Sequence, residues 1–502
     1  MQIYSGYHRN RLKKLNQREF SVNGKYILYW MQAFRRLEYN HALFYAASLS
    51  KEYGKPLVIL EALRSDYPYN SSRLHRFILE GICDNKQEAK KLGLEYHAFV
   101  ETGKNPGRGL MKRLSSEAFA IVTDDFPAFI IPSHNRAIAE KAACPVFAVD
   151  SNSMIPLELY GKLSTTARSL RIKLHDLFSE ALSQAVYKRL KKTDFIRSGE
   201  NCLRDLREFS ARKEDIPEVL SQIQFQYSVL PVPQVIGGRQ EALKILKNFL
   251  KYRLIDYSSL RSPPLPPERQ AVSGLSAYLH FGHISSEEIV RAVLSYYKEN
   301  WSPAELIPEN RGKNSGFFSN SESVDGFLDE LLTWRDISYQ LFWKNPGLKK
   351  DFSVLPDWAK QNLEKHKNDK REFIYSLKQF ESAKTHDPIW NAAQLELVNT
   401  GKMQNYLRML WGKKLIEWSS SFEEALNIME YLNNLYAYDG RNPNSYGGIL
   451  WCFGLFDRPW FPERNVLGNI RYMSSDSTKR KFKLKEYLEY IETLTKKQES
   501  LF

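Results

Sequence analysis

Through its first 150 residues the chain alternates between short apolar runs and stretches where apolar and polar residues mix. Residues 26–30, 57–60, 94–100, 119–122, 128–131 and 146–149 are dominated by apolar residues, the pattern of strands buried on both faces. Residues 39–51 and 74–91 carry helical patterns between them. Strand–helix alternation predicts an α/β domain with a parallel, Rossmann-like sheet. No GxGxxG follows the first strand, so the dinucleotide fingerprint is absent.

From residue 151 the strand pattern stops. Charged helical stretches at 179–192 and 201–209 lead to Pro231-Val232-Pro233 and Gly237-Gly238, which read as a connection. After Gln240 the pattern is helical: 241–252, 285–297, 324–342, 390–400, 404–419 and 422–436, with a Pro-rich turn at 263–267. The expected organisation is an α/β domain over 1–155, a helical linker over 156–238 and an all-α domain over 239–502.

Charge changes the picture. The 502 residues carry a formal net charge of +14, and 13% are aromatic, ten of them Trp. A basic field attracts polyanions, and basic charge with many aromatics suits a protein that neutralises phosphates and stacks on bases. Cys83, Cys144, Cys202 and Cys452 lie far apart with no CxxC pair, so neither a metal site nor a disulfide framework is expected. No apolar run is long enough for a membrane span and the N-terminus lacks a signal-like apolar core, so a cytoplasmic protein is expected.

The candidate chemistry sits in residues 385–418, THDPIWNAAQLELVNTGKMQNYLRMLWGKKLIEW. Thr385 or Asp387 can cap a helix with Pro388 in its first turn, and Gly401 ends it. Trp411 and Trp418 on the next helix are seven residues apart, about 10 Å of rise, and share a face. Trp390 can reach that face from the preceding helix. By spacing alone the three indoles suit core packing as well as electron hopping.

The string THDPxWNAAQxELVxTGKM, followed by Arg408-Met409 and Trp411-x-Lys413-Lys414-x-x-Glu417-Trp418, resembles the signature of class II cyclobutane pyrimidine dimer photolyases. The resemblance continues through Tyr431-Leu432-Asn433, Asp439-Gly440-Arg441, Trp451, Asp457-Arg458, Trp460 and Ile470-Arg471-Tyr472-Met473. Upstream it includes 275–282 (LSAYLHFG), Glu330-Leu331 and Tyr29-Trp30-Met31. It implies an enzyme that holds FAD, bent into a U, in the helical domain. Light excites the reduced flavin, which lends an electron to a pyrimidine dimer in duplex DNA, so that the cyclobutane ring splits and the electron returns. It also implies that the α/β domain can hold an antenna chromophore, a deazaflavin or a folate.

The resemblance assigns roles by position. Trp411, Trp390 and Trp418 correspond to a photoreduction chain, proximal to distal. Asn433 corresponds to the residue facing the reactive flavin nitrogen. Tyr257, Leu275 and Ser276 correspond to the cofactor-phosphate region, while Arg335, Asn405, Arg408, Asp439, Asp457 and Arg458 are further cofactor contacts. Glu330 corresponds to the glutamate at the base edge of the dimer, with Trp334, Trp451 and Met409 as lesion-pocket walls. Arg441, Arg464, Arg471, Lys479, Arg480 and Lys481 are expected at DNA phosphates. The family's His-Gly after GKM is replaced by Gln404-Asn405, and Gly274 replaces a polar side chain, which bears on lesion specificity. A cryptochrome-like photoreceptor is the rival expectation; a retained lesion pocket and the lack of a long tail after Phe502 weigh against it. A monomer is expected.

Overall fold

The computed structural model describes residues 6–184, 188–348 and 351–499. Six strands form one sheet: β1 (Leu12–Lys14), β2 (Tyr26–Met31), β3 (Leu57–Leu63), β4 (Glu95–Val100), β5 (Ala118–Asp124) and β6 (Val146–Val149). Their order is β1-β6-β5-β2-β3-β4. All pairings are parallel except that of β1, which runs antiparallel to β6 at the edge. Every residue of β2, β5 and β6 is buried, because helices such as His41–Tyr53 and Ser72–Leu92 cover the sheet. The helical remainder, including Pro388–Thr400, Asn405–Trp418 and Phe422–Tyr436, forms the second half.

Some expected elements differ. Residues 128–131 are a turn running into helix Ile131–Lys141, with Phe129 at φ +59°; Pro132 suits the first turn of a helix but not an inner strand. Of the stretch expected at 179–192, residues 179–183 end helix Ala167–Ser183, residues 185–187 lie outside the described residues, and 188–192 are not helical. Residues 201–209 form turns, not a helix; Cys202 N–H and Leu203 N–H are drawn off by the side chains of Glu95 and Asn201. Strand β1 has too few residues to show a period. No helix among the described residues is long and apolar enough to cross a membrane.

Two buried carboxylates organise the regions around the sites. Asp124, at the end of β5, accepts from the backbone N–H groups of Gln32 (2.9 Å), Ala33 (2.7 Å) and Phe34 (2.9 Å) and from the Tyr29 hydroxyl (2.7 Å). It thereby fixes the loop that leaves β2. That loop meets the helical half at Gly282, whose φ is +73°; a Cβ there would lie 2.0 Å from the Ala33 carbonyl oxygen. Glu396 accepts from the Tyr487 hydroxyl at 2.8 Å and from Gln404 N–H at 3.3 Å, tying together three helical segments. Burial pushes its carboxyl pKa up to about 7.

Because the folded carboxyl of Glu396 holds its proton to higher pH than the unfolded one, its contribution is fully present in acid and is lost as pH rises towards about 7. Glu396→Gln removes that loss. The variant is expected to gain roughly 1–3 kcal/mol relative to wild type between pH 5 and pH 8, read from urea unfolding at both values.

Candidate functional site

A cavity of about 570 Å³ lies within the helical half. Tyr257, Leu275 and Ser276 line one wall from short turns and helix starts. Asn405, Arg408, Met409 and Trp411 come from Asn405–Trp418, Asn433 from Phe422–Tyr436, and Trp451 from Pro443–Cys452. Asp439 lies in the loop between the last two helices. Glu330 and Trp334 project from a π-helical turn, Asp329–Trp334, between helices Glu322–Leu328 and Arg335–Lys344. A π turn holds an extra residue per turn and re-aims the side chains around it, a device frequent at functional sites. It brings Trp334 onto Trp451 across the cavity, with ring centroids 5.2 Å apart and planes at 25°.

The charges in the walls are paired unequally. Arg171 grips Asp329 through two bonds of 2.7 and 2.8 Å. Arg335 bonds Asp336 at 3.1 Å and lies over the Tyr339 ring at 4.0 Å. Arg408 and Asp439 meet only at 3.4 Å, leaving both free to turn to a ligand. Arg261 donates to the Glu330 carboxylate. Desolvation nevertheless raises the Glu330 pKa above the usual carboxylate value, against the pull of Arg261.

These walls fit a flat heteroaromatic group with a polar tail. A Cβ built on Gly326 or Gly448, both in the lining, meets no atom within 4 Å, so the cavity keeps open space beside the backbone. The Oδ1 atom of Asn444, also in the lining, is buried without a protein hydrogen-bond partner. A buried acceptor left open in this way calls for a donor from a ligand or water.

Behind Trp411 lie the other two indoles. Trp390 stacks parallel to Trp411, with centroids 6.4 Å apart and planes at 7°, and Trp418 stands at 6.2 Å from Trp390 at 64°. The three are 3%, 0% and 5% exposed for Trp411, Trp390 and Trp418. The Trp390 indole N–H donates to the Trp411 carbonyl (3.1 Å) and the Trp411 indole N–H to Gln394 (2.9 Å), so both rings are fixed.

Three expected contacts are not brought together. Asp457 and Arg458 do not line the cavity. The Asp457 carboxylate accepts from Trp460 Nε1 (3.1 Å) and from Arg458 N–H (2.8 Å), and the Arg458 guanidinium lies over the Trp460 ring. Their turn consumes the groups expected at the ligand. Arg441 is 2% exposed and donates to the Asn434 carbonyl at 2.6 Å, which removes it from any phosphate-facing surface. Arg464, Arg471, Lys479, Arg480 and Lys481 are exposed.

Arg441 turns instead to a second cavity of about 570 Å³, at the strand ends of the α/β half. Trp30, Tyr67, Phe126, Phe129 and His134 line it, and His280 and Phe281 reach it from the helical half. Arg441 Nη2 is buried there without a protein partner. Sequence reasoning missed Arg261, Arg171, His280 and Asn444. Arg261 and Arg171 are set by distant partners, Glu330 and Asp329, which no local pattern announces; His280 lies within the 275–282 motif but was given no role there. The Gln404-Asn405 pair divides its tasks: Asn405 lines the cavity, whereas Gln404 caps the helix by accepting from Leu407 N–H (3.0 Å) and donates to the carbonyls of Arg261 (3.1 Å) and Ser262 (2.6 Å).

No family model matches the chain. It is 34% identical over 489 residues to the deoxyribodipyrimidine photo-lyase of Methanothermobacter thermautotrophicus, covering 97% of this chain and 99% of that one. The enzyme of the same name from Arabidopsis thaliana is 30% identical, covering 93% and 89%. Among solved structures, the archaeal photolyase from Sulfolobus tokodaii with two FAD molecules superposes with a TM-score of 0.61 at 17% identity, over 92% of this chain and 88% of that one.

The cap at Gln404 can be measured apart from any reaction. Gln404→Ala removes the cap and both bonds to the Arg261 segment, and should cost about 1–3 kcal/mol in urea unfolding with an unchanged slope. An unshifted midpoint would mean that the turn is held by other contacts.

Proposed function

The chain belongs to the deoxyribodipyrimidine photo-lyase family, and from this we propose how its residues carry out light-driven repair of pyrimidine dimers in DNA. FAD is the cofactor of the helical cavity; bound there and reduced, it supplies an electron on illumination that opens the cyclobutane ring and then returns. The remaining work falls to the protein.

Tyr257, Leu275 and Ser276 hold the cofactor's phosphates with hydroxyl and backbone N–H groups, and Arg335 adds positive charge. Asn433 faces the reactive ring nitrogen with an amide that can donate or accept. The loosely paired Arg408 and Asp439 turn towards the ring, and Asn405 completes that side. Trp334 and Trp451 part to receive the flipped dimer, and Met409 touches it from the helix that carries Trp411. Unstacking costs least at a base pair already damaged. Glu330 hydrogen-bonds the base edge; desolvation shifts its carboxyl towards the protonated form against the pull of Arg261, beside a carbonyl oxygen that gains negative charge. Arg464, Arg471, Lys479, Arg480 and Lys481 neutralise phosphates. Trp411, Trp390 and Trp418 pass electrons inward to restore the cofactor's reduced state.

The observation that carries this reading is the π turn, which stacks Trp334 on Trp451 and puts Glu330 in the lining of the cavity that Asn433 also lines. A photoreceptor that signals without repair gives these side chains no task. The second cavity, with its aromatic lining and unpartnered Arg441 nitrogen, takes an antenna chromophore such as a deazaflavin or a folate. The enzyme acts as a monomer on duplex DNA in the cytoplasm.

Dimer-containing oligonucleotide is expected to lose its dimers with reduced, FAD-loaded protein in light and to keep them in the dark. No repair at full FAD occupancy would refute the reading. Glu330→Ala should lower repair on the order of 10²-fold, with Glu330→Gln milder because its amide still donates. Trp411→Phe should slow photoreduction while chemically reduced enzyme still repairs; unchanged photoreduction would remove the tryptophans from the path.

A further inference from the structure

Lys413 has no task so far, although the signature W-x-K-K-x-x-EW includes it. It lies two residues after Trp411 on helix Asn405–Trp418 and is 1% exposed. Its ammonium is spent on a carbonyl: Nζ donates to the oxygen of Cys452 at 2.6 Å. Cys452 ends helix Pro443–Cys452, and Trp451 stands one residue before it. At that end the Leu450 carbonyl accepts from the N–H groups of Phe453 (2.9 Å) and Leu455 (3.1 Å), and the Trp451 carbonyl from Gly454 N–H (3.0 Å). The Cys452 carbonyl, one of the acceptors that a helix C-terminus leaves over, takes the lysine. A cation there also meets the negative end of the helix dipole. The two helices touch one residue earlier: a Cβ on Gly412 would lie 2.5 Å from Cys452 Sγ, so nothing larger than glycine fits between them.

We propose that Lys413 is a positioning residue of the lesion pocket: its ammonium locks the end of helix Pro443–Cys452, and with it Trp451, against the helix that carries Met409 and Trp411. The proposal rests on the reading of Trp334 and Trp451 as the pocket's walls. Trp451 is half-buried and stacks on Trp334, with ring centroids 5.2 Å apart. A dimer that parts the two rings pushes on the backbone under Trp451. The lock resists that push from the adjacent residue, so the pocket opens to a fixed width and the binding energy of the dimer is not spent on moving the helix.

The lock depends on charge. Burial lowers the Lys413 pKa to about 8; Cys452 and Asp457 pull it back, and Arg471 pushes it further down. Burial also raises the pKa of the Cys452 thiol, so that group stays neutral. Asp457 and Arg471 are then the charges that face the ammonium, and the Asp457 carboxylate is already engaged by Trp460 Nε1 and Arg458 N–H. A charged donor makes a hydrogen bond roughly twice as strong as a neutral one, and a neutral amine no longer feels the helix dipole. Above about pH 8 the lock therefore slackens. Unfolding does not follow. The folded chain gives up this proton at about 8 and the unfolded chain near the ordinary 10.5, so on account of this group the fold gains stability as pH rises between the two.

The test is binding of a dimer-containing duplex and of its undamaged counterpart to the FAD-loaded protein in the dark. Fluorescence anisotropy follows both from about pH 6.5 to about pH 9.5 at constant ionic strength. In wild type the ratio of the two affinities is expected to fall on the order of 10-fold, with its midpoint near pH 8. Lys413→Met keeps the bulk without the charge, and should show the weakened ratio already at neutral pH and no step above it. Lys413→Arg, charged throughout, should lose the step and keep the preference for the dimer on the alkaline side. A lysine that only filled space would give no step. A wild-type ratio that is flat in pH, or a step that survives in either variant, would overturn the proposal and leave the pocket reading intact. No preference for the dimer duplex at any pH would overturn that reading and the proposal together.

Discussion

The two halves of the molecule meet where the backbone of Gly282 lies against the loop 33–35, closer than any side chain would allow. This contact locates both cavities. On one side, Asp124 pins residues 32–34 to the sheet, so Ala33 and Arg35 form the floor of the α/β cavity. On the other, the helix Ser276–His280 that leads into Gly282 supplies Ser276, Leu279 and His280 to the helical cavity. Arg36 seals the seam from within. Its buried guanidinium donates to the carbonyls of Tyr39 (3.1 and 3.0 Å), Gly282 (3.0 Å) and Ser151 (3.3 Å). A charge so deeply buried is tolerated because several carbonyl dipoles surround it, and burial still lowers its pKa to about 10.

Across the helical cavity the same problem is solved with pairs of unequal tightness. Arg171 and Asp329 form a two-bonded clamp between the linker helix Ala167–Ser183 and the π turn, and the clamp fixes that turn. Asp336 accepts from the Tyr160 hydroxyl at 2.8 Å and from Ser153, and burial pushes its pKa up to about 6. These groups are spent on structure. Glu330 and Asp439, by contrast, each face the cavity with a single arginine partner that a ligand can replace. The division between rigid and exchangeable pairs separates scaffold from site better than residue type does.

The legible part of the sequence was the part written in local period and local motif. Residues 26–30 and 146–149 read as strands because burial on both faces demands apolar runs, and β2 and β6 lie there. The helix at 404–419 was legible for a similar reason, with Gln404 at its start. The π turn was not: residues 324–342 carry a helical pattern throughout, and one extra residue in a turn leaves that pattern nearly intact. Arg441 was placed at DNA phosphates by the resemblance alone, whereas contacts with Asn434 and Phe281 bury it. Asp457 was assigned by the resemblance alone; here its carboxylate accepts from Trp460, three residues on in a turn whose shape no period announces.

His280 shows why the two cavities belong to one device. Its side chain contributes to the walls of both. It is lined up with Phe281, whose ring centroid lies 4.4 Å away, and burial together with the nearby Arg441 cation drives its pKa well below the usual imidazole value. At this shared position the imidazole is therefore neutral, with the charge carried by Arg35 and Arg441 beside it in the α/β cavity. A charged partition would shift the levels of a chromophore on either side and draw water into the gap. A neutral imidazole keeps one charge off the wall common to both cavities, and Trp411 lines the helical one. The seam at Gly282 holds the helix that carries His280 against the loop 33–35, and so fixes that shared wall.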